Sequence, residues 1–127
     1  MDSDDWAEFD MLEKIYSFAT DSNADVVICD FYRDRAGKSQ MSIQKPSGPD
    51  APASLRDMYT GFCGPVNKLV KRECILKYGV TFPKGIRFLE DGVFFVRLFS
   101  NPLSISYLPE AFYHYDMDDI RGGSSQR

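Results

Sequence analysis

The chain begins with a cluster of carboxylates, Asp2-Ser3-Asp4-Asp5, which is followed directly by Trp6. Three acids this close together repel one another unless a cation, a hydrogen bond or water compensates their charge. A D-x-D-D run is therefore typical of a place where oxygen ligands hold a divalent ion beside a phosphate group. Asp and Ser are also favoured helix N-caps, and acids in a first helical turn complement the helix dipole. The run alone is open to both interpretations.

A second pair of carboxylates, Glu90-Asp91, precedes Gly92 and the most apolar stretch of the chain. Carboxylates beside so much aromatic surface tend to hold a proton more tightly, which suits a general base. Capping of the following helix is the alternative interpretation. Together, the two acidic sites match the needs of group transfer from a diphosphate donor, in which one site serves a metal and the leaving group and the other deprotonates the acceptor.

Composition limits the class of protein. A chain of 127 residues has the length of one domain, and hydrophobic and aromatic shares of 43% and 14% exceed those of disordered chains. A net charge of -4 argues against nucleic-acid binding, which usually requires a basic surface. Cys29, Cys63 and Cys74 form no C-x-x-C pair, which favours reduced thiols and a cytoplasmic location. Neither a transmembrane-length apolar run nor a signal peptide is apparent in the sequence.

The pattern of apolar residues predicts an α/β fold. Residues 8–22 show the three- and four-residue spacing of a helix with one buried face, and residues 25–32 form an apolar, β-branched run typical of a strand covered on both faces. Residues 33–53 are polar and rich in Gly and Pro, which predicts a long loop with at most one edge strand. A short helix is expected at 55–59.

The second half of the chain predicts two further helices. One covers residues 66–78, with Gly79 as its C-terminal cap, and a buried one covers residues 91–100. Two short strands, at 105–107 and 112–115, are expected to be joined at Pro109-Glu110. A polar, flexible tail is expected at 116–127.

Taken in order, these motifs resemble family 2 glycosyltransferases. The resemblance covers Asp2-Ser3-Asp4-Asp5-Trp6, Asp10-Met11-Leu12-Glu13, residues 24–32, Asn67-Lys68-Leu69-Val70-Lys71-Arg72-Glu73, Phe82-Pro83-Lys84-Gly85-Ile86, Glu90-Asp91-Gly92, Tyr113-His114-Tyr115 and Arg121-Gly122-Gly123-Ser124. Ordered matches along nearly the whole chain are more specific than any one motif. The resemblance implies an A-type glycosyltransferase fold, α/β with helices packed on a small mixed sheet. Residues 1–127 would be a single domain, the acceptor-side part of the catalytic domain without its N-terminal nucleotide-binding half.

The resemblance also implies roles for the acidic residues. Asp4 corresponds to the residue that holds a divalent metal, Mn²⁺ or Mg²⁺, against the donor diphosphate, and Asp2 to one on the sugar-nucleotide side of that metal. Asp91 resembles the base that deprotonates the acceptor hydroxyl, which leads to inversion at the anomeric carbon, and Glu90 orients the acceptor or Asp91. Asp5 is expected to cap the next helix instead.

Further candidates accompany these two sites: Asn67, Lys68, His114 and Trp6 on the acceptor side, and Arg121 and Ser124 at the diphosphate. Capping by Asn67, a solvated Lys68 and packing of Trp6 beneath the first helix are the alternatives. For His114, a locally satisfied hydrogen bond is the alternative to ligand contact.

The expected partners of the parent protein are a nucleotide-diphosphate sugar and a glycan or lipid-linked acceptor, in cell-surface polysaccharide synthesis at the inner face of the membrane. The isolated chain is expected to be inactive and to bind little or no metal or nucleotide. The competing hypothesis is a non-catalytic module that self-associates through an exposed sheet edge. A phosphotransferase using Asp2 and Asp4 is a third, but the Thr/Ser and Lys motifs of such enzymes are missing from the sequence.

Overall fold

In a computed structural model, which describes residues 1–46 and 64–118, helices cover both faces of a mixed five-stranded sheet. In chain order the elements are β1 (Trp6–Ala7), α1 (Met11–Ser22), β2 (Val26–Arg35), β3 (Lys38–Ser42), β4 (Lys68–Val70), α2 (Arg72–Lys77), α3 (Glu90–Phe99) and β5 (Ile105–Asp116). The expected α/β class is confirmed. No helix among these residues is long and apolar enough to cross a membrane.

Strand β2 is the centre of the sheet. It pairs in parallel with β5 on one side, while β4 and β3 pair antiparallel with its first and second halves on the other side. Strand β1 pairs antiparallel with the outer edge of β5. Since both faces of β2 are covered, its sequence is a nearly continuous apolar run, as predicted.

Alternate residues of β2 face two separate cores. Val26 and Ile28 pack with the layer formed by α2 and α3, whose buried side chains are Cys74, Phe94, Phe95, Leu98 and Phe99. Val27 and Cys29 pack on the other face with Ile15 of α1 and Phe112 of β5. The aromatic side chains of α3 are therefore in the core, which confirms the buried helix predicted at 91–100.

Helix α1 is confirmed, but its buried face is narrower than its sequence suggests. Asn23 ends the helix in the left-handed conformation, and its N–H bonds to the carbonyls of the last turn. Ile15 is buried, whereas Phe9, Leu12 and Tyr16 are exposed. The apolar spacing thus identified the helix correctly and overestimated how much of it is covered.

The predicted helix at 66–78 is wrong in its first half, where the chain forms β4. Backbone pairing of Lys68–Val70 with β2 is a long-range interaction that overrides local helix propensity. The helix begins only at Arg72 and ends at Lys77, with Tyr78 as its C-terminal flanking residue. Gly79 follows with φ +60°, a conformation that glycine adopts without strain, so its assignment as the cap is confirmed.

The predicted loop at 33–53 begins with a β-hairpin, whose second strand, β3, confirms the one edge strand that the prediction allowed for. Strand β2 continues to Arg35, and Ala36 and Gly37, with φ of 49° and 72°, turn the chain into β3. Two consecutive positive φ angles are those of a tight hairpin turn that matches strand twist. An Ala at the first turn position and polar strand residues concealed this hairpin in the sequence. Residues 47–53 and the helix expected at 55–59 lie outside the described residues.

Instead of two short strands, the chain forms one long strand, β5. Its pairing with β2 passes from Cys29↔Leu108 to Asp30↔Ala111, so Pro109 and Glu110 are extra residues that shift the register. Pro cannot donate to a ladder and is tolerated at such a bulge. The proline therefore marks a break in pairing rather than the end of a strand. Asp116, expected to begin the flexible tail, belongs to β5, and residues 119–127 lie outside the described residues.

Helix α3 starts from a strained residue. Leu89, its N-terminal flanking residue, has φ 61° and makes no side-chain capping hydrogen bond. A left-handed conformation is unfavourable for a bulky side chain, and strain of this kind is often retained next to functional sites. Glu90 and Asp91 follow immediately.

Because Asn adopts the left-handed conformation readily and Leu89 is exposed, Leu89→Asn should raise the free energy of unfolding by about 1 kcal/mol. Leu89→Ala keeps the Cβ responsible for the strain and should give no such gain. Urea denaturation of the two variants compares them directly, and equal stabilities would contradict this account.

Candidate acidic site

The first acidic run forms a compact group of oxygens. One carboxylate oxygen from each of Asp2, Asp4 and Asp5 lies within 4.8 Å of the other two. Asp2 and Asp4 are exposed, whereas Asp5 is buried. The run does not cap a helix, because β1 separates it from α1 and Asp10 flanks that helix. The capping interpretation, including the expectation that Asp5 caps the next helix, is therefore wrong.

Asp5 anchors the run to the sheet. Its Oδ2 accepts a hydrogen bond from the hydroxyl of Tyr113 at 2.7 Å, and its Oδ1 accepts one from the N–H of Asp116 at 2.9 Å. Burial and the bond to Asp5 raise the pKa of Tyr113, which keeps its hydroxyl protonated as a donor. Both partners belong to β5, so one buried carboxylate fixes the run against that strand.

The second acidic pair lies within the electrostatic influence of the first. Burial raises the pKa of Asp91, and the negative charges of Glu90 and Asp2 raise it further. Asp2 therefore lies within electrostatic reach of Asp91, although the two are far apart in the sequence. Asp91 is partly buried in the first turn of α3. The charge of Asp2 thus acts on Asp91, and that these two and Asp4 and Glu90 serve one site stays a prediction.

Tyr115 also faces this site and was not among the predicted residues. Burial raises its pKa, and the charges of Asp5, Asp2 and Asp4 contribute further. Its alternation with Tyr113 along β5, on the face opposite His114, is the sequence signal that could have identified it.

Next to the acidic site, His114 occupies the centre of an aromatic stack. Its ring lies 3.6 Å from that of Trp6 and 4.4 Å from that of Tyr32, measured between centroids, with interplanar angles of 11° and 22°. Trp6 and Tyr32 are the residues that pair with His114 on the two neighbouring strands. The stack therefore holds β1, β5 and β2 together at Trp6, the residue that follows the acidic run.

Both ring nitrogens of His114 face carboxylates. Nδ1 lies 2.9 Å from Oδ2 of Asp34, and Nε2 lies 3.1 Å from Oε1 of Glu8. A neutral imidazole has one N–H, so both contacts are hydrogen bonds only when the ring carries two protons. Burial opposes ionisation of Asp34, but hydrogen bonds from Ser39 and His114 lower its pKa. These contacts are those of a locally satisfied histidine, and the acceptor-side role of His114 and Trp6 stays a prediction.

Asn67 and Lys68 hold β4 in place. Asn67 is fully buried, and its Nδ2 donates to the carbonyl of Cys29 at 3.0 Å while its Oδ1 accepts from Lys68 Nζ at 2.7 Å. Lys68 Nζ also donates to the carbonyl of Gly64 and lies 5.1 Å from the ring centroid of Phe95. These contacts are structural, and the expected acceptor-side role is a prediction. Arg121 and Ser124 lie outside the described residues.

The donor set of the acidic run suits a hard divalent cation. Mg²⁺ and Mn²⁺ prefer carboxylate oxygens, and the exposed side chains of Asp2 and Asp4 present such oxygens to solvent. Both oxygens of Asp5 already accept hydrogen bonds, so Asp5 orients the run and contributes less to an ion. The residues present therefore fit the metal that the sequence predicts.

Replacing Asp91 should stabilise the protein. Below its ordinary pKa of 3.8 this carboxyl is protonated in both the folded and the unfolded state, and above its raised folded pKa it is ionised in both. The folded state then carries a desolvated charge repelled by Glu90 and Asp2. Asp91→Asn should thus raise the urea midpoint at neutral pH, and this gain should disappear as the pH falls towards 3.8.

Asp10→Asn is the matched control, because the hydrogen bond and ion pair with Lys14 lower the pKa of Asp10. It should not stabilise the protein at neutral pH. A stabilising effect of Asp10→Asn equal to that of Asp91→Asn would show that the gain comes only from reducing the net negative charge.

Comparisons with known proteins support the relation expected from the sequence. No protein-family model matches the chain. It is 32% identical over 125 residues to EpsH of Bacillus subtilis (strain 168), which is named as a glycosyltransferase, and the match covers 91% of this chain and 36% of EpsH. The resemblance to glycosyltransferases is thereby confirmed.

The fold is that of part of the TarS glycosyltransferase. Crystal structures of S. aureus TarS 1-349, alone and in complex with UDP or UDP-GlcNAc, match with a TM-score of 0.72 and 22% identity. The matches cover 91%, 94% and 91% of this chain and 34%, 35% and 33% of TarS 1-349, respectively. The chain therefore spans about a third of the length of EpsH and of TarS 1-349.

Proposed function

We propose that this chain, which is similar to a glycosyltransferase over most of its length and has the fold of part of one, is the acceptor-side part of an enzyme that transfers a sugar from a nucleotide-diphosphate sugar. The electrostatic influence of Asp2 on Asp91 carries this proposal, because donor and acceptor chemistry must occur side by side. The binding of UDP and UDP-GlcNAc by TarS supports a nucleotide-sugar donor. The proposed setting is cell-surface polysaccharide synthesis by a family 2 enzyme.

In the proposed reaction Asp91 is the general base. Its raised pKa suits a carboxylate that takes the proton of an acceptor hydroxyl, and its place in the first turn of α3 leaves it partly accessible. The acceptor oxygen forms a bond to the anomeric carbon while the bond to the nucleoside diphosphate breaks, and the electron pair leaves with the diphosphate. Displacement from the opposite side inverts the anomeric centre. Glu90, next to Asp91, orients the acceptor or the base.

Asp2 and Asp4 would hold a divalent ion, Mn²⁺ or Mg²⁺, on the donor side of the site. When bound, the ion offsets the negative charge that develops on the leaving diphosphate. Asp5 positions Asp2 and Asp4 through its hydrogen bonds from Tyr113 and Asp116. Arg121 and Ser124 remain the predicted diphosphate contacts.

The thiols agree with the proposed compartment. Cys29 and Cys74 are buried and free, as expected in a reducing environment. Nucleotide-sugar chemistry would then take place in the cytoplasm, at the inner face of the membrane where a lipid-linked acceptor is available.

Asp91→Asn should lower turnover about 10²- to 10⁴-fold, because it removes the base without removing the donor site. The assay uses a longer polypeptide that contains this chain and has the full length of the relatives. It measures sugar transfer and donor affinity. Asp10→Asn, which alters a half-exposed acid paired with Lys14, should retain both. Undiminished turnover in Asp91→Asn would exclude Asp91 as the base.

Calorimetric titration of the 127-residue chain with Mn²⁺ and a nucleoside diphosphate tests the donor side. We expect at most weak Mn²⁺ binding, which Asp4→Asn removes, and little or no nucleotide binding without the remainder of the fold. Tight, specific nucleotide binding would show that the chain contains a more complete donor site than proposed. Mn²⁺ binding that persists in Asp4→Asn would exclude Asp4 as a ligand.

An exposed edge strand favours a second candidate function, a non-catalytic module that self-associates. Strand β3 is at one edge of the sheet formed by the described residues, and Met41 within it is half exposed. This candidate requires association of the purified chain, whereas the transferase does not. Light scattering that shows a strict monomer would exclude it.

A further inference from the structure

The segment between α2 and α3 exposes an unusual concentration of large apolar side chains. Phe82, Ile86, Phe88 and Leu89 are exposed by 54%, 46%, 81% and 60%. They lie within eight consecutive residues, immediately before Glu90 and Asp91. Leaving so much apolar surface in water is costly, and such patches usually mark a site of interaction.

The same segment carries positive charge. Lys84 and Arg87 lie between the apolar residues, are exposed, and form no ion pair with any residue of 1–46 or 64–118. Residues 68–99 contain seven basic and three acidic residues, a net charge of +4 in a chain whose total is -4. The part of the chain that contains α2 and α3 is therefore basic, and the remainder strongly acidic.

We propose that residues 82–89 form a surface that docks on an anionic lipid bilayer. Aromatic and aliphatic side chains insert at the level of the headgroups, and interleaved Lys and Arg side chains pair with lipid phosphates. This mixture distinguishes the segment from a protein-binding patch, whose centre is usually depleted of lysine. Glu90 and Asp91 are more buried than Lys84 and Arg87, so the cations are better placed to meet the headgroups.

The docking surface is fixed to α3, the helix whose first turn contains Glu90 and Asp91. The ring of Phe82 stacks on that of Phe94 with 4.4 Å between centroids, and Arg97 Nη1 donates to the carbonyl of Thr81 at 3.1 Å. The start of the segment is thus fixed to α3, and its end, Leu89, leads directly into that helix. A bilayer contacted by this segment would lie next to Asp91. On the basis of the proposed function, this placement favours an acceptor hydroxyl carried on a membrane lipid.

A second exposed apolar group provides a matched control. Phe9 and Leu12 are exposed by 107% and 75%, but Glu8, Asp10 and Glu13 surround them in the sequence. An anionic bilayer repels these carboxylates. Phe9 and Leu12 should therefore not bind it, even though they are as apolar and as exposed as the side chains of the docking surface.

Sedimentation with vesicles tests the proposal, using phosphatidylcholine vesicles with and without phosphatidylglycerol. The 127-residue chain should bind the anionic vesicles, and raising the salt concentration should weaken binding. The double variants Phe88→Ser/Leu89→Ser and Lys84→Glu/Arg87→Glu should each lower the partition coefficient about tenfold or more. Phe9→Ser/Leu12→Ser should leave it unchanged. Circular dichroism establishes that each variant is folded, and Lys84→Gln/Arg87→Gln replaces the charge reversal if that variant is not.

Equal binding to neutral and anionic vesicles, or equal losses in the Phe9→Ser/Leu12→Ser variant, would overturn the proposal. The proposal would also be overturned if the chain did not bind vesicles and the Phe88→Ser/Leu89→Ser variant lost self-association, because a protein would then cover the surface. The measurement needs no donor, metal or acceptor. Asp91→Asn should bind vesicles as the unmodified chain does, so failure of the docking surface and failure of the proposed transfer reaction are distinguishable.

Discussion

The buried carboxylate of Asp5 is the constraint on which the acidic site depends. A buried carboxylate is tolerated only when hydrogen bonds compensate its desolvation, and here Tyr113 and the backbone of Asp116 supply them. Satisfying Asp5 in this way fixes the start of the chain against β5. Asp2 and Asp4 are then exposed next to that anchor, and the charge of Asp2 acts on Asp91. Without this anchor, the repulsion among the carboxylates would separate them.

The sequence was sufficient where one local pattern determines the structure. The apolar run at β2 and the spacing in α1 and α3 predicted these elements, because burial on one or both faces imposes a periodicity that neighbouring residues reveal. Prediction from the sequence failed where pairing with residues distant in the chain determines the secondary structure. Lys68–Val70 is a strand because β2 is available to pair with it, and the Ala36-Gly37 turn carries only a weak hairpin signal.

In the candidate site, too, some features follow from local sequence and others depend on long-range contacts. The types of Asp2, Asp4, Glu90 and Asp91 indicated a chemistry, but only the fold shows that the charge of Asp2 acts on Asp91. The contacts of Glu8 and Asp34 with His114, and the orientation of Tyr115, depend on the register of β1, β5 and β2. That register is shifted by the bulge at Pro109-Glu110, and no local pattern specifies where the pairing resumes.

The central claim is that the two acidic motifs form one site, and an NMR titration of the Asp91 carboxyl tests it most directly. Charge repulsion between the two motifs requires that Asp2→Asn lower the pKa of Asp91, while neutralising Asp10, which does not contribute to that pKa, leaves it unchanged. A pKa of Asp91 that is the same with and without the charge of Asp2 would contradict the claim.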